Sequence, residues 1–459
     1  MSPDHCKTGG SLSHLAVGDS ITHHGLYLRY LDVFHLTRFP QRLPRLINRG
    51  LAGDTVEGAL KRFPWDISSL RVETASVMFG MNDLDLSLYE PGKSGSEVLR
   101  QRAVALDRFE ANLRRLVAGL QTVAGEVFLL TPSIFDGTGI QEAANYPDYN
   151  FALSHGAARM KHIGECLGLQ VIDFHGPLTD INRRGQALRP DFSVVGPDRV
   201  HPQAMGHLMM THHFLKARKL SGDVARVTLR AEDAAPLESV TCRVSDCTVL
   251  ADGIAFSYQA DALPFPVEDA AREALDWVPF TEDFNREILR VTGLAAGAFY
   301  LLEIDGIAIC ARAGEEWNGG VNLALLSSTP QNIQAHRVLK MSHQRWELIG
   351  KLRDFVMVEC QAAPEARLRR PSVEEVSPLL EARLKSAEGK SWEDFIRRTG
   401  EEYVADGFHE SEWSGQIEEM LANIQAAAQP KSYRVTLRRI AAQGQPGASA
   451  FSPTQTTHT

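Results

Sequence analysis

The chain has no run of about 18 consecutive apolar residues, so no membrane-spanning helix is expected. Nor is there a basic excess. Its 48 Lys and Arg stand against 57 Asp and Glu, a net charge of -9, which argues against nonspecific nucleic-acid binding, since that needs a basic face. Cysteine is sparse. Of the six only Cys242 and Cys247 lie close together, and that gap, with no second pair or nearby His, is poor zinc spacing. All six read as reduced thiols. Met1-Ser2-Pro3-Asp4-His5-Cys6-Lys7 lacks the apolar core of a secretory signal. The chain as written therefore reads as cytoplasmic, or as secreted or periplasmic if a leader has been trimmed. What is present is a 44% hydrophobic fraction over 459 residues, enough for a real core and for two or three domains.

Up to about residue 219 short apolar runs alternate with helical segments. Strands are expected at 12–17, 45–48, 75–80, 127–131 and 169–174, and helices near 26–37, 55–62, 98–123, 149–167 and 202–218. In the long helix Leu106, Phe109, Leu113, Leu116 and Leu120 recur at spacings of three and four, giving one apolar face. This alternation implies an α/β domain, a parallel sheet covered on both sides, with ligands beyond the carboxyl ends of its strands. The 220–315 region reads instead as short strands (226–230, 240–244, 253–258, 288–291, 299–309) of a small antiparallel sandwich, with Asp305-Gly306 as a two-residue hairpin turn. A helical extension is expected over 316–430, its charged 365–402 segment as a solvated face. A strand over 431–442, where Tyr433-Arg434-Val435-Thr436-Leu437 echoes Arg226-Val227-Thr228-Leu229, is read as returning to the sandwich. Residues 443–459 read as a mobile tail.

Candidate chemistry gathers at the carboxyl ends of the first strands. The run Leu15-Ala16-Val17 ends in Gly18-Asp19-Ser20; a sharp turn at Gly18 would lift the Ser20 hydroxyl clear of the strand. The competing reading is an ordinary turn or helix cap. A serine nucleophile needs a base, a group that orients the base, and donors for an oxyanion. In Pro197-Asp198-Arg199-Val200-His201-Pro202, Pro202 keeps His201 out of helical geometry and starts the helix that follows. His201 becomes the candidate base and Asp198 its partner; the alternative is a capping His beside an exposed turn Asp. Donors are expected from the Ser20 N–H, from the Gly53 N–H in the Gly-rich 48–54 loop, and from the Asn82 amide after the third strand. The plainer readings are a Gly-rich loop and a local turn bond.

Taken in order, Gly18-Asp19-Ser20-Ile21, the Gly53 loop, Gly80-Met81-Asn82-Asp83 and Asp198-x-x-His201 resemble the SGNH hydrolases, the GDSL esterases and lipases, over residues 12–218. Ile21 replaces the Leu of the name-giving motif. The Gly-x-Ser-x-Gly elbow of α/β-hydrolases is absent. The resemblance implies a flavodoxin-like three-layer α/β/α domain over 1–219 and ester hydrolysis through an acyl-enzyme, with Ser20, His201 and Asp198 as triad and Ser20, Gly53 and Asn82 as oxyanion hole. No metal or organic cofactor is called for. The expected substrate is a small-molecule or carbohydrate ester with a short acyl group. The alternatives are transfer of the acyl group to an alcohol by the same residues, and a binding module with a vestigial site. Stretches resembling an extension of some bacterial members occur at 300–306 and 317–324; the second reads as an inter-domain joint.

Other residues invite a role and have plainer explanations. His207, His212 and His213 read as surface or packing histidines, and Asp19 and Asp83 as turn and strand-end groups. Asp54 is left open as a shaper of the oxyanion loop. Three segments, 84–95, 132–147 and 183–198, are read as following strands and walling a pocket. Within them Tyr89, Phe135 and Tyr146 are candidates for stacking on substrate, or for structural packing.

Overall fold

The computed structural model describes residues 12–440 apart from 43, 363–372, 390–392 and 407–408; the tail expected at 443–459 lies outside the described residues. The first half runs β1 (Leu12–Gly18), α1 (Ser20–His24), α2 (Leu26–Arg38), β2 (Pro44–Gly50), α3 (Val56–Asp66), β3 (Val72–Met78), α4 (Ser96–Leu120), β4 (Ala124–Leu130), α5 (Tyr149–Leu167), β5 (Val171–Ile172), α6 (His175–Leu188) and α7 (Ala204–Ala217). The five strands pair in parallel in the order β2-β1-β3-β4-β5. Helices cover both faces, which is why β3 is buried without alternation from Thr74 to Met78 and β4 from Val127 to Leu130. On α4 the expected face is buried through Phe109, Leu113, Leu116 and Leu120. This is the flavodoxin-like order, whose topological switch lies between β1 and β3. Ser20 follows β1 and Asn82 follows β3, so the switch lies between two of the candidate site residues.

Two expectations here fail. The fifth strand shrinks to two residues, because Asp173 turns its carboxylate onto Thr131 and Lys161 and α6 begins at His175. That helix is not among the expected elements, and it holds two residues, Pro177 and Gly185, that disfavour helix interiors. Pro177 sits in the first turn, where a missing N–H costs nothing, and at Gly185 the Phe192 ring occupies the place of a Cβ, 2.1 Å away. The 183–198 segment therefore begins inside α6 and runs on past its end, and does not follow a strand.

The second half comprises β6 (Asp223–Arg230), β7 (Pro236–Val240), β8 (Cys242–Leu250), β9 (Gly253–Ala260), α8 (Phe280–Phe284), β10 (Arg286–Thr292), β11 (Phe299–Ile304), β12 (Ile307–Ala313), α9 (Gly314–Gly319), β13 (Val321–Asn322), α10 (Pro330–Ala362), α11 (Val373–Ala387), α12 (Glu393–Asp406), α13 (Glu410–Ala427) and β14 (Tyr433–Ile440). Sheets β13-β10-β6-β7 and β12-β11-β14-β9-β8 enclose one core that includes Leu229, Phe256, Val291, Leu302 and Leu437. The sandwich is not wholly antiparallel: β6 and β10 run parallel. Asp305 and Gly306, at φ 51 and 78, make the two-residue turn between β11 and β12, a geometry in which both central residues have positive φ. β14 lies between β9 and β11. The joint expected at 317–324 is instead sandwich interior, with Trp317 fully buried and Val321 paired to Leu289.

Helix α10 ties the extension to the hydrolase-like half. Buried Asp32 on α2 accepts at one oxygen from Ser342 (3.0 Å), Arg345 (3.1 Å) and Trp346 Nε1 (3.0 Å). Within the described part of the charged 365–402 segment, α12 carries a solvated face through exposed Asp394, Arg397, Arg398 and Glu401, while Ile396, Thr399 and Gly400 on its other side are buried; 365–372 and 390–392 lie outside the described residues.

Candidate active site

Gly18 ends β1 because no side chain fits there. A Cβ would lie 2.7 Å from the Met78 carbonyl and 2.2 Å from Thr22 Oγ1. Close packing, not an unusual backbone angle, demands the glycine. Asp19 caps α1 by accepting the Ile21 N–H at 3.0 Å, and burial pushes its carboxyl up to about 7 against the pull of that bond. Ser20 thus opens a helix, and its N–H is among those with no partner inside that helix.

His201 Nε2 lies 2.7 Å from Ser20 Oγ, and its Nδ1 lies 2.5 Å from Asp198 Oδ2. A carboxylate only accepts, so Nδ1 carries the proton and Nε2 faces the serine hydroxyl with its lone pair. The other Asp198 oxygen accepts the Val200 and His201 N–H groups, both at 3.0 Å. Burial alone would raise the Asp198 carboxyl; the His201 ring and those two N–H groups outweigh it and bring it down to about 2. Burial likewise pulls the His201 ring down, but Asp198, and then the charge of Asp19, hold it above the ordinary histidine value.

The loop holding this pair is turned by Arg199, which sequence reasoning passed over. It is buried at φ 68 and donates to the carbonyls of Asp136 (2.8 Å), Ala143 (2.9 Å), Gly139 (3.0 Å) and Gln141. The 136–143 loop is thereby clasped to the His201 loop.

Gly53 has φ 74 and open space where a Cβ would stand, and no group among the described residues accepts its N–H. The Asn82 amide donates one N–H to the Asp54 carbonyl at 2.9 Å, which leaves the second for another acceptor. Asp54 itself binds Arg62 Nε at 2.9 Å. Asp83 accepts from Val56 N and Gly80 N, and Leu51 N donates to the Gly18 carbonyl. Ser20, His201 and Asp198 are therefore joined directly, while the loops carrying Gly53 and Asn82 are bonded to each other and to the end of β1.

The extension reaches the same place. His24 packs edge-on to His201 with ring centroids 5.8 Å apart, and Phe395 of α12 packs on His24 at 6.3 Å. His23 bridges the loop at Ala52 to Asp354 of α10. Nothing in the sequence near 353 or 395 marks those residues. Phe135 is buried against Tyr146 and Tyr149, and Tyr89 packs on Tyr149 beneath Arg102; Tyr149 donates its hydroxyl to the carbonyl of Met81, the residue before Asn82. His207 stacks on Tyr27, and His212 pairs with Asp283 at 2.9 Å. A cavity of about 540 Å³ lies between β2, α10 and α13, and none of the five candidate site residues lines it.

Residues 16–209 match the sequence profile of the GDSL-like lipase/acylhydrolase family. The hydrolase domain is also similar to an acetylxylan esterase of Geobacillus stearothermophilus, 25% identical over 225 residues, which are 46% of this chain and 95% of that enzyme. Almost the whole chain is similar to a solved gut microbial diltiazem-metabolizing enzyme: 25% identity, TM-score 0.83, 94% of this chain and 98% of the other covered. The hydrolase is a carboxylic ester hydrolase with additional sheets and helices in its C-terminal half.

Proposed function

We propose that the hydrolase removes short acyl groups, acetyl first among them, from an alcohol oxygen on a carbohydrate or other small molecule. Ser20 Oγ attacks the ester carbonyl while His201 Nε2 takes its proton, and Asp198 holds the ring in the right tautomer and balances the imidazolium. The Ser20 and Gly53 N–H groups and the Asn82 amide stabilise the oxyanion. His201 then returns its proton to the leaving alcohol and activates the water that releases the acid. A positioned base contributes about 10²–10⁴ in rate, and each oxyanion donor about 10²–10³.

The observation that carries this reading is the unbroken line from Asp198 through both ring nitrogens of His201 to Ser20, at 2.5 and 2.7 Å. The acyl preference draws on the relatives: acetylxylan is an O-acetylated sugar, and diltiazem as a molecule carries an acetate ester. Ser20→Ala should abolish hydrolysis of 4-nitrophenyl acetate with the fold intact; unchanged turnover sinks the assignment. A panel of esters varying acyl length and alcohol, analysed with and without added acceptor alcohols, separates hydrolysis from acyl transfer.

A further inference from the structure

Two consecutive residues of α10 grip the loop that carries Gly53. The Arg353 guanidinium is buried; its Nε and Nη2 each donate to the Gly50 carbonyl at 3.3 Å, and it pairs with Asp66 at 2.9 and 3.1 Å. Its neighbour Asp354 lies 3.2 Å from Nε2 of buried His23. The opposite ring nitrogen, Nδ1, lies 2.9 Å from the Ala52 backbone nitrogen. An amide N–H only donates, so Nδ1 holds the lone pair, and the neutral ring carries its proton on Nε2, facing the Asp354 carboxylate. The tautomer is fixed from both sides.

A Cβ at Gly53 would meet nothing within 4 Å, so packing does not fix that residue. Its placement depends on the hydrogen bonds at Gly50, Leu51, Ala52 and Asp54.

We propose that Arg353 and Asp354, acting through His23, are positioning residues that hold the oxyanion loop, so that a catalytic donor of the hydrolase domain is set by the C-terminal extension. This rests on the reading of Gly53 as an oxyanion donor. Without an acceptor at 354, the buried Nε2–H of His23 is orphaned. The ring then turns away, or it adopts the Nδ1–H tautomer and sets two donors against each other at Ala52. Either response displaces Ala52 and the Gly53 N–H beside it.

The test uses the full chain with Asp354→Leu, Asp354→Asn and Ser20→Ala, assayed on 4-nitrophenyl acetate. Rates of the wild type and the Asp354 variants are expressed per site titrated by a fluorophosphonate, so that misfolded protein drops out, and that of Ser20→Ala, which the probe cannot label, per mole of chain. A misplaced donor costs less than a missing one, so Asp354→Leu should lower kcat by about 10- to 100-fold with KM nearly unchanged. Asp354→Asn, whose carbonyl still accepts from Nε2–H, should keep most of the rate. Should the Leu variant not fold, Asp354→Ser replaces it, too short to reach the ring. A wild-type kcat per titrated site in the Leu or Ser variant overturns the proposal, as does an Asn variant as slow as either. Turnover surviving in Ser20→Ala overturns the underlying reading of the site instead.

Discussion

Replacing Asp198 by Asn changes one atom and inverts the logic of the site. The Asn carbonyl can take over the Val200 and His201 N–H groups, now held at 3.0 Å, so the loop keeps its shape. Its NH₂ then faces His201 Nδ1 across the present 2.5 Å contact. Two donors cannot share that space, so the ring moves its proton to Nε2, where it meets Ser20 Oγ and can no longer accept. Loss of the correct tautomer in such a triad costs about 10⁴ in kcat, close to 5.5 kcal/mol of barrier. Folding loses far less: Asp198 is half exposed, and a solvated pair contributes only about 0–1 kcal/mol. The pH profile adds a second readout. Asp198 raises the His201 pKa, and the base works only when neutral, so the acid limb of kcat/KM should move to lower pH in the variant. Stopped-flow or steady-state assays across pH 4–9, beside a thermal melt, read all three effects. A variant with more than about a tenth of the wild-type rate, or an unmoved acid limb, would falsify this account of Asp198.

Phe395→Ala removes a ring that reaches the site from α12 by way of His24. It should raise KM for esters of bulky alcohols by up to about tenfold, the worth of one apolar contact, and leave 4-nitrophenyl acetate turnover near wild type; a uniform loss across alcohols would place the ring outside the substrate's reach. Glu287 is a stability element in the sandwich: burial raises its carboxyl from 4.5 to about 7, against bonds from Tyr258 and Gln331. Its protonated form is favoured by folding, so its contribution is full below pH 4.5, declines as pH rises, and is gone above about 7, a swing of roughly 3 kcal/mol. Glu287→Gln keeps the acceptor for both partners and should flatten that decline and raise Tm at pH 8. An unaltered Tm-versus-pH curve would refute it.

What the sequence reveals, and what it hides, divides along chain separation. The strand ends of the hydrolase domain are legible because a strand buried on both faces must be an apolar run, and the break at Gly18 or Gly80 is sharp. Ser20 and Asn82 each stand beside such a break and His201 stands beside Pro202 just before a helix, with residue types whose chemistry is known. Arg199 sits inside the same motif yet passes unread, because its work is done on carbonyls of 136–143 that no spacing connects to it. Asp354 and Phe395 lie in an amphipathic, charge-rich extension where a single Asp or Phe has no distinguishing neighbours; only the packing of α10 and α12 gives them a role. The helix at 175–188 is hidden for the opposite reason. Pro177 and Gly185 are locally strong breaker signals that tertiary contact, the first-turn position and the Phe192 ring, overrides.

The hydrolase domain carries every group that touches the proposed reaction, yet its charge balance is incomplete without α10. Asp66 is held well below the usual carboxylate range, against the cost of burial, by Arg353, Arg62 and Arg49 in that order, and Arg353 comes from the extension. Arg62 also anchors Asp54, whose carbonyl receives Asn82. A buried carboxylate that loses one of its cations does not stay still: it draws the others toward itself or takes a proton. Either response pulls on Arg62, and through Asp54 on the second oxyanion donor. The helical extension is therefore joined to the candidate site by electrostatics as well as by contact.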